Sequence, residues 1–305
     1  MIEAAAPGTA RVVVPRVAGG EATTVTGRMR VSMPAAANGA LTLSSSTGQA
    51  DEPVVVTLSL PVSGSGDRPV SGRLAKDGTM VYQSDSGDGS DVAVQALSDG
   101  SVRVQTVARS EASRLAYTYE VGGATPMLQP DGSISLIRRL DSASLILTVT
   151  VGTIEPAWAV DAKGRPVDTH YEVTSAGKLV QVVSPGPGTK FPVVSDPKVT
   201  VGWSGWIVDF NRAETKLASS TYAALANLLV SAVTTVGGFF ATILGLTTNA
   251  TVMMIGGLVA VYGGLILVIA SGAYAQGRCL RMFMGLYPLP GNVPIPASYS
   301  GGYCK

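Results

Sequence analysis

The chain is poor in the residues on which most neutral-pH catalysis and metal binding depend. In 305 residues it has one histidine, His170, and two cysteines, Cys279 and Cys304. Imidazole metal sites recruit two or more histidines, so hydrolases of the two-histidine zinc kind are excluded. No catalytic residue, metal or cofactor is assigned, and the chain is not read as an enzyme. Charged residues are only 14% of the total, against roughly 25% in an average soluble domain, and aromatics only 6%. The formal net charge of +1 offers no clustered basic excess for phosphate, which excludes nucleic acid as a partner. Low charge with a positive mean hydropathy suits a cell-surface or membrane-active protein.

The charge that is present is unevenly spread. From Leu217 to Gly277 there is no Asp, Glu, Lys, Arg or His over 61 residues. Residues 1–216 carry net −2 and the remainder +3, from Arg278, Arg281 and Lys305. Two regions of different chemistry therefore meet near residue 200. The fold expected is α+β: a β-rich region over 1–200, sandwich-like or a meandering antiparallel sheet with one or two submodules, then a hydrophobic helical hairpin with a disulfide-closed tail over 201–305.

The β reading rests on short alternating or β-branched runs at Arg11–Pro15, Pro53–Pro61, Asp91–Leu97, Ser101–Arg109, Leu115–Val121, Ser133–Arg138 and Ser144–Gly152. Asp77-Gly78, Asp99-Gly100 and Asp131-Gly132 are hairpin-type turns, since glycine supplies the positive φ such turns need. The first 50 residues, rich in Ala, Gly, Ser and Thr, form either a small β module of their own or an extension.

The uncharged segment reads as two apolar rods. Asn211-Arg-Ala-Glu214 has the form of a capping box, so a helix starts near Arg212 and can run to about Leu246 through Leu225, Leu229, Val236, Phe239, Phe240 and Ile243. A turn at Gly245–Ala250 leads to a second helix, from about Thr251 to Arg281, carrying Leu258, Val261, Leu265 and Val268. Each arm has ~25 residues or more and exceeds the ~30 Å hydrocarbon thickness of a bilayer, so both can span it as transmembrane helices. Those ten apolar residues are the expected membrane-inserting set. Gly256, Ala260 and Gly264 recur every four residues, with Gly272 two turns on, and make the expected helix-packing face. A hairpin of this kind can also be the buried helical core of a compact domain, or a permanent anchor.

Cys279 and Cys304 are the pair an exported protein with one disulfide would show. Closing a loop of about 25 residues contributes roughly 3–4 kcal/mol in the chain-entropy model. Two buried thiols are the alternative. Met1-Ile2-Glu3 followed by Ala-Ala-Ala-Pro-Gly has no apolar h-region, and is read as the start of a mature secreted chain with an added initiator Met. Asp85, Asp88, Asp91 and Asp99 crowd one stretch and could hold Ca²⁺, although EF-hand ligand spacing is missing and a solvated hairpin turn fits better. Ser184–Lys190 lacks the spacing of a phosphate loop. Asp168-Thr-His170 with Ser175 or Ser184 does not make a triad from sequence proximity, and no nucleophile elbow is present. Trp158, Trp203 and Trp206 suit a glycan platform, an interfacial belt or ordinary packing.

From residue 115 onward the chain resembles a group of uncharacterised secreted proteins of actinobacteria. The matching strings are Tyr117-Thr-Tyr-Glu, Gln129-Pro-Asp-Gly-Ser-Ile, Ile154-Glu-Pro-Ala-Trp-Ala-Val-Asp-Ala-Lys-Gly-Arg-Pro-Val-Asp-Thr-His-Tyr-Glu-Val173, Phe191-Pro-Val-Val-Ser-Asp-Pro197, Phe210-Asn-Arg-Ala-Glu-Thr and Tyr299-Ser-Gly-Gly-Tyr-Cys304. The resemblance implies export and a Gram-positive envelope setting, and carries no activity. Together these features favour a secreted, membrane-active, pore-forming protein of bacteriocin or toxin type. Its partners would be the lipid membrane, further copies of itself in a homo-oligomer, and a cell-surface receptor or glycan. The alternative is a non-enzymatic cell-envelope binding or structural protein whose β face binds glycan or protein.

Overall fold

The computed structural model describes residues 10–26, 29–45, 54–62, 69–87, 89–141, 146–235, 248–285, 295–300 and 304. The chain divides into two units. One takes Met1–Ser46, Val54–Leu136 and Gly152–Gly202; the other takes Thr47–Pro53, Ile137–Val151 and Trp203–Lys305.

The first unit is built from short antiparallel strands. Its first sheet has six, in the spatial order Arg16–Ala18, Glu21–Thr26, Met29–Met33, Ala40–Ser45, Val54–Ser59 and Val121–Gly122. Strict alternation turns Ala22, Val31, Met33, Leu41, Leu43, Val56 and Leu58 into the core, all at 1% exposure or less. Each large aliphatic buried this way contributes about 1.5–3 kcal/mol relative to leaving it in water. A second group centres on Val102–Ala108. It pairs on one side with Asp91–Ala96, beyond which lie Met80–Tyr82 and Gly72–Leu74, and on the other with Val193–Asp196 and the start of Lys198–Asp209. Buried hydroxyls pair within this group: Gln95 Nε2 donates to the Thr79 hydroxyl at 3.0 Å, and the Thr106 and Ser195 hydroxyls lie 2.6 Å apart. Ala116–Tyr119, Leu179–Ser184 and Asp168–Val173 make a three-stranded sheet. The Asp77-Gly78 and Asp99-Gly100 turns form as expected, with glycine φ of 94° and 85°. At Gly78 the need is double, because a Cβ would also sit 2.8 Å from Val14 Cα.

In the second unit three helices follow strand Lys198–Asp209 among the described residues: α1 (Arg212–Ala218), α2 (Tyr222–Thr235) and α3 (Thr248–Ala275). The capping box forms at α1, with Glu214 N–H donating to the Asn211 side chain at 2.8 Å and Asn211 N–H donating to the Glu214 carboxylate at 2.7 Å. Strand Cys279–Gly285 then pairs with Gly205–Asp209 and with Ile295–Tyr299. Arg212 gathers the ends of these elements. Its guanidinium donates to the carbonyls of Tyr274 (3.0 Å) and Arg278 (2.8 Å) and lies 4.2 Å above the Tyr274 ring. Arg281 forks onto both oxygens of the buried Asp209 and stacks on Tyr299, whose hydroxyl donates to the Phe210 carbonyl at 2.9 Å. The disulfide between Cys279 and Cys304 is formed.

The structure corrects the expected hydrophobic hairpin. Among the described residues no helix is long and apolar enough to cross a membrane, which overturns the transmembrane and pore-forming expectations and the helical-hairpin half of the fold class. The first arm is not one rod. It breaks after Ala218, where the Ser219 and Ser220 hydroxyls donate back to the Lys216 and Leu217 carbonyls. Thr221 then caps a new start by accepting from Ala224 N–H at 3.0 Å. Among the described residues the pieces are the 7 of α1 and the 14 of α2. The second helix, α3, has 28 residues. Its apolarity is divided between a buried face of Val259, Ile266, Ala270 and Ala273 and an exposed face interrupted by Gly256, Gly257 and Gly264.

The expected membrane-inserting residues scatter accordingly. Leu225 and Leu229 are buried, whereas Val261 (71%), Leu265 (51%) and Val268 (68%) are exposed. Val236, Phe239, Phe240 and Ile243 lie outside the described residues, as does the side chain of Leu258. The expected packing face is displaced by one residue. A Cβ at Gly256 or Gly272 would meet nothing within 4 Å, Ala260 is exposed, and Gly264 has only the Tyr222 hydroxyl at 3.2 Å. The close approach is at Gly263, where a Cβ would lie 2.6 Å from the Tyr222 ring.

Candidate functional site

The chemistry-bearing residues singled out in the sequence are mostly engaged in structural contacts. His170 is an exposed strand residue whose Nε2 lies 3.2 Å from Glu172 Oε1, and its Cα partner across the strand is Val182. In the acidic stretch, Asp91 is forked by Arg109, which also donates to the Ser84 carbonyl, and Asp99 accepts from the backbone and hydroxyl of Ser101 and lies 3.6 Å from Lys198 Nζ. Asp88 lies outside the described residues. Among the described residues no group of three or more His, Cys, Asp or Glu side chains could hold a metal. Trp158 sits half-buried at the start of strand Trp158–Val160, and its carbonyl accepts from Gln181 Nε2 at 3.4 Å. The side chains of Trp203 and Trp206 lie outside the described residues.

Asp161 is the most heavily engaged carboxylate. It accepts from the Arg165 guanidinium (2.8 and 2.6 Å) and from the backbone N–H groups of Lys163, Arg165 and Lys190. The Arg165 hydrogen bonds, helped by those backbone donors, hold its carboxyl well below the usual range despite opposing desolvation. A folded value below the unfolded one means stability that is present above pH ~3.9 and is lost as pH falls from there toward the folded value. Asp161→Asn removes this. Below about pH 4 the parent is therefore expected to take up close to one more proton on unfolding than the variant, read as a steeper fall of Tm with acidification. Parallel acid limbs would contradict it.

The first sheet presents a different kind of surface on the face away from its core. Register places Arg16 opposite Thr23, Thr23 opposite Ser32, Ser32 opposite Thr42, Thr42 opposite Thr57, and Thr57 opposite Gly122. Six strands are thus crossed by one row in which four consecutive positions are Thr or Ser, repeating at the strand spacing of about 4.8 Å. A neighbouring row holds Val25, Arg30, Ser44 and Val55. Thr23, Ser32, Thr42 and Thr57 are all partly open to solvent, and Arg16 and Arg30 are exposed. A groove lies at each end of the face. One, of about 440 Å³, is lined by Val14, Arg16, Thr23, Thr24, Val25 and Arg30. The other, of about 570 Å³, includes Asn38, Ala40, Thr57, Ser59, Glu120 and Gly122. The backbone of this second groove is tied by Glu120 N–H donating to the Ser59 hydroxyl at 2.8 Å, and Lys178 holds the Glu120 carboxylate at 2.6 Å, keeping that carboxyl ionised to lower pH than usual.

This row was not among the sequence candidates. In Ala40–Ser45 alternation puts Thr42 and Ser44 on the side opposite Leu41 and Leu43, a usable signal within that strand, whereas Glu21–Thr26 carries hydroxyls on both sides. Which hydroxyl stands beside which depends on the register of three strand pairings. The row offers hydroxyl donors and acceptors to polar groups, and Ser32 Oγ donates to the Glu21 carboxylate at 2.8 Å. No protein-family model matches the chain, and no curated protein matches it.

Proposed function

We propose that the chain is a non-enzymatic, exported cell-envelope protein that binds a glycan polymer along the outer face of its first sheet. The observation that carries this reading is the in-register row Thr23–Ser32–Thr42–Thr57, opening at either end into a groove. An extended polyol presents hydroxyls at regular intervals, and a regular row of hydroxyls on a pleated surface can meet several at once. Each hydrogen bond adds only about 0.5–1.5 kcal/mol net, so affinity must come from the number of contacts along a chain. The row and its neighbour contain no aromatic side chain, so ring stacking does not supply the binding energy here. Export is supported by the disulfide and by the resemblance to secreted actinobacterial proteins.

The test is co-sedimentation of the full chain with purified Gram-positive cell walls stripped of protein and lipid. The parent is expected to pellet with the walls. Thr42→Val with Thr57→Val, which keeps shape and strand preference while deleting two hydroxyls, is expected to weaken binding about tenfold. A parent chain that stays in the supernatant, or a variant that pellets equally well, would overturn the assignment.

A further inference from the structure

We infer that the groove at the Arg16 edge of the first sheet takes the anionic groups of a linear polyanionic glycan, phosphodiester or carboxylate, and so sets which glycan the face selects. This rests on the reading that the face binds glycan. The groove brings two guanidiniums to one side of the sheet. Arg16 stands in the hydroxyl row beside Thr23, and Arg30 stands beside Val25 in the next row. The two are two strand spacings apart across the sheet and two residues apart along it, roughly 12 Å between backbone positions, and both line the same groove with Val14 and Val25. Val14 is 59% exposed and Val25 57%.

Among the described residues neither guanidinium has a carboxylate or hydrogen-bonding partner, although Arg109, Arg165, Lys178 and Lys198 elsewhere in this unit are each paired with an acid. The carboxylate on the same face, Glu21, lies at the far side of the hydroxyl row and accepts from the Ser32 hydroxyl at 2.8 Å. Two uncommitted arginines over an apolar strip favour an anion over a neutral sugar. Each guanidinium presents a planar fork of donors matched to a phosphate or carboxylate, and the valine side chains exclude water from one flank of the contact. The hydroxyl row then continues from Thr23 along the direction in which a bound polymer would extend. In this arrangement the row supplies length and the arginines supply selectivity.

The experiment uses the full chain and immobilised polymers in three arms: polygalacturonate, its fully methyl-esterified neutral form, and a poly(glycerol phosphate). Binding to at least one of the two anionic polymers is expected to be about tenfold or more tighter than to the neutral ester and to weaken as salt is raised. The carboxylate and phosphodiester arms tell which anion the groove prefers. Arg16→Gln with Arg30→Gln is expected to remove the preference, bringing anionic binding down to the level of the neutral ester, while leaving Tm unchanged. Arg16→Lys with Arg30→Lys is expected to retain part of the preference. Equal binding of the anionic and neutral polymers, or a Gln double variant that binds like the parent, would overturn the inference and leave the glycan reading standing. Failure to bind any of the three polymers, together with failure to pellet with cell walls, would overturn both.

Discussion

Gly152→Val is expected to destabilise the first unit by about 3 kcal/mol or more, one of the two largest effects foreseen for a single site. Gly152 is buried in strand Ile146–Ile154, and a Cβ there would lie 2.6 Å from the Thr200 carbonyl oxygen, 3.2 Å from Leu136 Cδ1 and 3.3 Å from Val201 Cα. Two of these three neighbours are backbone atoms of a paired strand and cannot swing aside. Valine would normally favour a strand, so local propensity predicts a gain where packing predicts a large loss. Gly152→Ala already places the offending methyl and is expected to be intermediate. Gly186, around which nothing lies within 4 Å, is the control, and Gly186→Ala should change little. Urea titrations followed by tryptophan fluorescence separate the outcomes. A Gly152→Val chain that unfolds with the parent would mean that the two strands do not approach as described.

Removing the disulfide, by Cys279→Ser with Cys304→Ser, is expected to cost about 3 kcal/mol in the second unit. The bridge closes 25 residues of sequence, and that loop restricts the unfolded chain. Cys279 is fully buried at the head of strand Cys279–Gly285, next to Leu280, whose N–H donates to the Thr215 hydroxyl at 3.0 Å. Loosening this point therefore releases the strand from α1 as well as freeing the tail. The measurement is the urea midpoint of the double variant and of the parent with and without reductant, alongside a thiol count under denaturing conditions. The parent should show no free thiol without reductant. Two free thiols, or a double variant with the parent midpoint, would contradict the role given to the bridge.

The parts legible in the sequence are those decided by a few adjacent residues. Asp77-Gly78 and Asp99-Gly100 make turns because each glycine must take positive φ, and Asn211 with Glu214 closes a capping box because the two side chains satisfy neighbouring N–H groups. The runs at Asp91–Leu97 and Ser101–Arg109 coincide with strands Asp91–Ala96 and Val102–Ala108 because their β-branched residues favour extended backbone, and the fold then covers both faces. The break at Ser219-Ser220-Thr221 was also local and readable: three hydroxyl residues in a row compete for helix carbonyls and offer a new cap. The absence of charge from Leu217 to Gly277 points the other way, because hydrophobicity alone cannot separate a lipid-facing rod from helices shared between a buried and an exposed face.

Composition, turn chemistry and helix caps thus followed from the amino-acid order, since each is set within a few residues by dihedral preference or by one hydrogen bond. The candidate site did not. Thr23, Ser32, Thr42 and Thr57 are spread over 35 residues, and only the pairing of five strands sets them side by side with Arg16 at one edge and Arg30 in the next row. The same holds for Gly263, whose neighbour Tyr222 is 41 positions away. Register and helix contact are fixed by the burial of Leu41, Leu43, Val56 and Leu58 in one unit and of Leu225 and Ile266 in the other. A one-residue slip would turn the row hydroxyl of a strand inward and its core side chains out, so the core that forbids the slip is what creates the row.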